Sequence, residues 1–237
     1  MAASRPSVLK RAVRRLIQPH GSVVRQGDFV TFRPEGFVEA KDPGSLLCRH
    51  YYEVMHLRRC LGFITGQGVK PGRSLEIGCG FGRLSPYIAE HFEHHTAVDI
   101  NTWAVSEASQ FYPKVSFSVA SATELPFPDH SFDAVLTWTV LQHIPNSLVG
   151  NALSEINRVA NPKSLIILCE ATLNAAIPET GWQHTHDRFP EFYAEAFSPR
   201  GLIVSEFITE LDRISSMGSP GRLMVFGPLD QAAWLYT

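Results

Sequence analysis

The sequence predicts an α/β fold, a mostly parallel sheet with helices on both faces. Three observations predict it. From residue 74 onward, short apolar runs alternate with stretches whose apolar residues recur at helical spacing. The run Ser164-Leu-Ile-Ile-Leu-Cys-Glu170 is almost wholly apolar, as in a strand buried on both faces. The first strand, residues 74–77, leads into a turn with glycines at alternate positions, Gly78, Gly80 and Gly82, and then into a helical pattern of Leu84, Tyr87, Ile88 and Phe92. Such a turn lets the backbone take positive φ and lets a ligand approach without meeting a Cβ.

The elements follow in order. The N-terminus carries Arg5, Lys10, Arg11, Arg14 and Arg15 with no acid before Asp28, opposite Val8, Leu9, Ala12, Val13, Leu16 and Ile17. Three readings stand: a solvated helix, a surface docking weakly on an anionic membrane or a protein partner, and an import presequence. Residues 27–47 read as irregular, with Pro34, Gly36, Pro43 and Gly44 as breakers. Residues 45–64 read as a helix, with Leu46, Leu47, Tyr51, Val54, Leu57, Leu61 and Ile64 on one side. Strands are expected at 74–77, from Thr96, at 115–119, 133–137, 164–170, 202–207 and 222–226, with helices from Arg83 and over 103–111, 148–160 and 189–197. His91, His94 and His95 read as surface residues at a helix end.

Bulk properties exclude several classes. With 237 residues and 44% apolar content, the chain can bury a full core. A formal charge of −2 gives no basic field for a nucleic-acid backbone. No apolar run approaches the ~20 residues of a membrane span. The 4 cysteines are scattered without a C-x-x-C pair, which argues against a zinc site or a disulfide framework and fits a reducing, cytoplasmic protein. Oligomeric state is not written in the sequence.

The glycine turn gains meaning from Asp99, which ends the next strand 21 residues after Gly78 (99 − 78). An acid at about 20 residues is where a carboxylate meets a ribose in nucleotide-binding βαβ units. A dinucleotide fingerprint needs a third glycine where Arg83 stands. The pattern Glu76, Gly78, Gly80, Gly82 instead resembles motif I of the class I S-adenosylmethionine-dependent methyltransferases. The resemblance continues through Asp99 and through Glu124-Leu-Pro-Phe-Pro-Asp-His-Ser-Phe-Asp-Ala-Val135, and covers residues 70–170. It implies a Rossmann-like, seven-stranded sheet whose last strand inserts antiparallel. Residues 69–237 would form that domain, and residues 1–68 a basic helix and a cover segment in which Tyr51 and Tyr52 either touch ligand or, the preferred reading, pack in the core or at the rim.

The resemblance also implies roles. Glu76 would support the turn and the amino-acid end of S-adenosylmethionine. Gly78, Gly80 and Gly82 would line the cofactor, with Cys79 a small packing residue among them. Asp99 would accept from both ribose hydroxyls, and Ile100 would press on the adenine. Ser121 and Ala122 follow the third strand, with Ser121 where the family often has Asp. Thr137 and Trp138 follow the fourth. Arg83 either meets the cofactor carboxylate or pairs on the surface.

Methyl transfer needs positioning and, for a hydroxyl acceptor, a base. His143 follows the fourth strand, and His184 and His186 lie in the loop after the fifth, all three being base or substrate-contact candidates. No metal is expected, because three ligands crowded into 184–187 make a weak site. There is no N/D-P-P-Y after the fourth strand and no Pro-Cys nucleophile pair. The closest resemblance is to the type 11 group of small-molecule methyltransferases, with oxygen preferred over nitrogen as acceptor. A silent scaffold of the same fold, and a nicotinamide oxidoreductase, are the other readings.

Overall fold

Alternating inward and outward apolar positions organise the described strands from residue 73 onward into one sheet between two apolar layers. The computed structural model describes residues 23–26, 29–32, 43–66, 72–173, 185–208 and 221–228. The basic N-terminus and His184 lie outside them. A two-stranded antiparallel sheet comes first, β1 (Val23–Gln26) and β2 (Phe29–Phe32), the second strand lying within the stretch expected to be irregular. The long helix α1 (Pro43–Gly66) follows.

Beyond it the chain alternates as expected. The elements are β3 (Arg73–Ile77), α2 (Ser85–Ala89), β4 (His94–Asp99), α3 (Thr102–Phe111), β5 (Ser116–Val119) and β6 (Phe132–Trp138). Then come α4 (Asn146–Val159), β7 (Ala160–Ala171), α5 (Pro190–Ala196), β8 (Gly201–Phe207) and β9 (Gly221–Gly227). The 7-stranded sheet has the order β5-β4-β3-β6-β7-β9-β8. Pairs from β5 to β7 are parallel, and β9 lies antiparallel between β7 and β8. This is the expected Rossmann-like sheet with its last strand reversed.

Side chains alternate across the pleat, so each strand feeds both layers. Leu75, Ile77, Val135, Ile166, Leu168, Met224 and Phe226 face α4 and α5, meeting Leu153, Ile156, Tyr193 and Phe197. Ala134, Leu136, Trp138, Ile167, Cys169, Leu223 and Val225 face Leu57 and Leu61 of α1 and Leu84 and Ile88 at α2. Leu57 and Leu61 are fully buried, each contributing roughly 1.5–3 kcal/mol of transfer energy. Tyr52 packs at the edge of this layer, whereas Tyr51 is 64% exposed. On α3, the Asn101 side chain accepts from the Trp103 and Ala104 N–H groups, satisfying first-turn donors and fixing where the helix starts.

Candidate active site

Loops following β3, β4, β5 and β6 meet where the strand order reverses, the place at which open parallel sheets bind ligands. Backbone bonds tie them together. The Gly78 and Cys79 N–H groups both donate to the Val98 carbonyl, and Ala120 N–H donates to the Asp99 carbonyl.

The three glycines all have positive φ, yet their surroundings differ. A Cβ on Gly78 would sit 2.3 Å from Val140 Cγ2, and one on Gly82 2.8 Å from Phe117 Cζ. These two glycines let the loops close. At Gly80 an added Cβ would meet nothing within 4 Å, so this backbone faces open space. Its N–H donates to Asp99 Oδ2 at 2.8 Å, while Asn101 N–H donates to Asp99 Oδ1 at 2.8 Å. Two N–H bonds fix the carboxylate and leave lone pairs on each oxygen for further donors. Burial pushes the Asp99 carboxyl up, and the N–H bonds from Asn101 and Gly80 oppose that shift. Open backbone beside an anchored carboxylate fits a nucleoside with vicinal hydroxyls.

Glu76 acts beneath the turn. It is buried, accepts from Ser85 Oγ at the start of α2, and lies 3.3 Å from His95 Nε2. His95 Nδ1 is 2.8 Å from Ser74 Oγ. The structure therefore places His95 inside on β4 rather than on the surface, because the buried carboxylate requires a partner. Cys79 is buried, and burial holds its thiol well above the usual range, so it serves packing.

Ile100 follows Asp99 and is half-buried. Ser121 is occupied by a local turn, its Oγ accepting from Thr123 N–H and lying 2.8 Å from Thr123 Oγ1. Ala122 is buried against the core. The residues ending β6 turn to opposite sides. Thr137 Oγ1 donates to Glu170 at 2.7 Å, and Trp138 Nε1 donates to Glu53 at 3.0 Å. Arg83 pairs with Glu53 of α1 and lies 3.2 Å from His50 Nδ1.

Backbone and side chain of Gln142 contact two of the three candidate histidines, His186 through its main chain and His143 through its ring. His186 N–H donates to the Gln142 carbonyl at 2.6 Å, and Gln142 Nε2 lies 3.4 Å from His143 Nε2. Burial, aided by the Arg188 charge, lowers the His186 pKa and favours its neutral form. Among the described residues no cluster of His, Cys, Asp and Glu is placed to hold a metal ion.

Three supporting residues had weak or no sequence signals. Glu170, closing the apolar run of β7, is fully buried and accepts from Thr137 Oγ1 and from the Val140 and Gln142 N–H groups. Its burial pushes the carboxyl up. A lone acid ending an apolar strand was visible as a signal. Arg188 is buried and donates to the Leu141 and Ile144 carbonyls and to Asn146 Oδ1, pinning the loop after β7 onto the loop after β6. Glu53 is buried in α1, and neither its helical position nor its charge marked it out.

Comparison with known proteins gives this geometry a family. Residues 75–168 match a family model described as a methyltransferase domain. A demethylmenaquinone methyltransferase of Beutenbergia cavernae is 29% identical over 171 residues, covering 70% of this chain and 68% of that one. A fatty-acid O-methyltransferase of Mycolicibacterium smegmatis is 32% identical over 176 residues, covering 70% of this chain and 62% of the relative. Relatives named for oxygen, carbon and nitrogen transfer also match, and the chain spans 51%, 27% and 18% of their lengths. Magnesium protoporphyrin IX methyltransferase from Synechocystis PCC 6803, solved with bound SAH, superposes with a TM-score of 0.60 at 16% identity, covering 75% of this chain and 84% of that one. At that identity the likeness speaks for the fold. Glycine turn, anchored carboxylate and sheet order agree with the sequence matches, and residues 75–168 form a methyltransferase domain of the class I S-adenosylmethionine-dependent kind.

Proposed function

We propose that this protein moves the methyl group of S-adenosylmethionine to a small-molecule acceptor, at oxygen in preference to nitrogen. The observation that carries the reading is the open backbone of Gly80 with its N–H on the anchored Asp99 carboxylate. The sulfonium cofactor supplies an activated methyl group. The chain's own residues hold the nucleoside through Asp99 and the glycine turn, and shield the centre with the loops pinned by Glu170 and Arg188. A neutral imidazole at His186, or at His143 beside Gln142, can take the proton of an acceptor hydroxyl. That supply of a base supports oxygen, since a neutral amine needs none to attack a sulfonium methyl. His184 stays a candidate of the same kind from its position in sequence. The formal charge of −2 supports a small acceptor over nucleic acid, and the scattered cysteines support a cytoplasmic setting. Any partner contact through the basic N-terminus belongs to this proposal as well.

Calorimetric titration with S-adenosylmethionine and S-adenosylhomocysteine tests the first half. Micromolar binding that falls at least tenfold in Asp99→Ala is expected; no heat at millimolar ligand would sink the reading and favour a silent scaffold. Transfer of labelled methyl to paired hydroxyl and amine analogues tests the second half. Faster transfer to the amines would move the acceptor atom to nitrogen.

A further inference from the structure

One buried carboxylate joins three elements around the glycine turn. Glu53 lies in α1 with no exposed side-chain surface. Its Oε1 accepts from Arg49 Nε at 3.1 Å and from Trp138 Nε1 at 3.0 Å, and its Oε2 faces Arg83 Nη1 at 2.5 Å. Arg83 directly follows Gly82, and Trp138 ends β6. His50, one turn earlier in α1, lies 3.2 Å from Arg83 and 3.3 Å from the Tyr87 hydroxyl of α2. Thus α1 grips the back of the glycine turn, the following helix and the rim of β6 through one cluster.

Packing alone does not call for this arrangement. Leu57 and Leu61 already seat the second half of α1 in the core, whereas Tyr51 and Met55, earlier in the helix, are exposed to solvent. A charge buried without its partner costs several kcal/mol, so Glu53 stays inside only while Arg83 and Arg49 are in place. Arg83 is itself partly exposed, at 37%, and its backbone is continuous with the ligand-facing glycines.

We propose that Glu53 is a positioning residue for the cofactor, coupling the closure of α1 to occupancy of the glycine turn by tying Arg83 and Trp138 to that helix. The inference rests on the cofactor reading above and adds to it the element that responds to binding. Coupling is reciprocal: if ligand holds the latch closed, an open latch weakens ligand by the same factor.

The test is a double-mutant cycle read with S-adenosylhomocysteine as probe, together with hydrogen exchange over residues 48–62. Glu53→Gln and Arg83→Gln are each expected to weaken the probe about tenfold, and the double variant no further. In the unmodified protein the probe should slow exchange in residues 48–62, and either substitution should abolish that slowing. Losses that add, or ligand protection that survives both substitutions, would overturn the latch and leave Glu53 a purely structural residue. If Glu53→Gln does not fold, Arg83→Gln and Trp138→Phe read the same exchange effect, with the same two outcomes. Absence of probe binding to the unmodified protein would instead overturn the cofactor reading, and the latch with it. Binding with an unchanged cycle overturns the latch alone.

Discussion

Gly78 and Gly80 share a positive φ and differ in what surrounds them, so the same substitution should fail in two ways. In Gly78→Ala the new methyl overlaps Val140, and the conformational cost adds to a steric one. A loss of about 2–4 kcal/mol in urea unfolding is expected. Gly80→Ala meets no neighbour, so only the left-handed backbone cost of about 1–2 kcal/mol applies, while S-adenosylhomocysteine binding should fall more than tenfold. Equal stability losses with equal binding losses would contradict this division of roles. Asp99 carries a pH signature. Its carboxyl is held above the ordinary value by burial, so the accepting, ionised form is lost earlier than usual as pH falls. Cofactor affinity should be flat near neutrality and decline in mild acid, and a flat profile down to pH 4 would argue against its role. The glycines and Asp99 were legible because their chemistry is local, a turn and an acid at fixed spacing. The pairing of Arg83 with Glu53 was not, because it joins residues 30 apart (83 − 53) through tertiary packing.

At the scale of elements, the sequence showed each strand of the large sheet and the helices between them, since apolar period survives whatever packs against it. It passed over the hairpin of β1 and β2, although Gly27-Asp28 between two β-branched runs is a hairpin signal. It also began the helix after the glycines at Arg83, whereas α2 starts at Ser85 because the turn continues through Gly82 and Arg83. The joint between the loops after β6 and β7 gives a prediction of its own. Arg188 reaches two carbonyls and the Asn146 side chain with a planar fork that an ammonium does not reproduce. Arg188→Lys should cost about 2–4 kcal/mol and raise acceptor KM more than cofactor Kd. A change confined to cofactor binding would place this loop on the wrong side of the site.

For the whole molecule, two buried carboxylates pull stability in opposite directions with pH. Burial raises the Glu53 carboxyl, but the Arg83 and Arg49 charges and the Trp138 bond outweigh it and leave it below the usual value. Its contribution is present above the unfolded carboxylate pKa and is lost as pH falls through the lower folded value. Glu170 is raised by burial, so its contribution is present at low pH and is lost as pH rises through the folded value. The Tm of the unmodified protein should therefore fall relative to Glu170→Gln as pH rises above the ordinary carboxylate range. A difference that stays constant as pH rises from acid to neutral would contradict a raised Glu170 carboxyl. The sheet order has a consequence for synthesis. Of the described strands β9 is made last, yet its place is between β7 and β8. Until Gly227 has left the ribosome, β7 has an open edge, β8 has no neighbour, and Phe197 lacks the ring of Phe226, which lies 5.1 Å away in the finished core. A nascent chain that stops before this strand exposes two unpaired edges to chaperones and proteases, so the core closes only when its last strand slides into the gap.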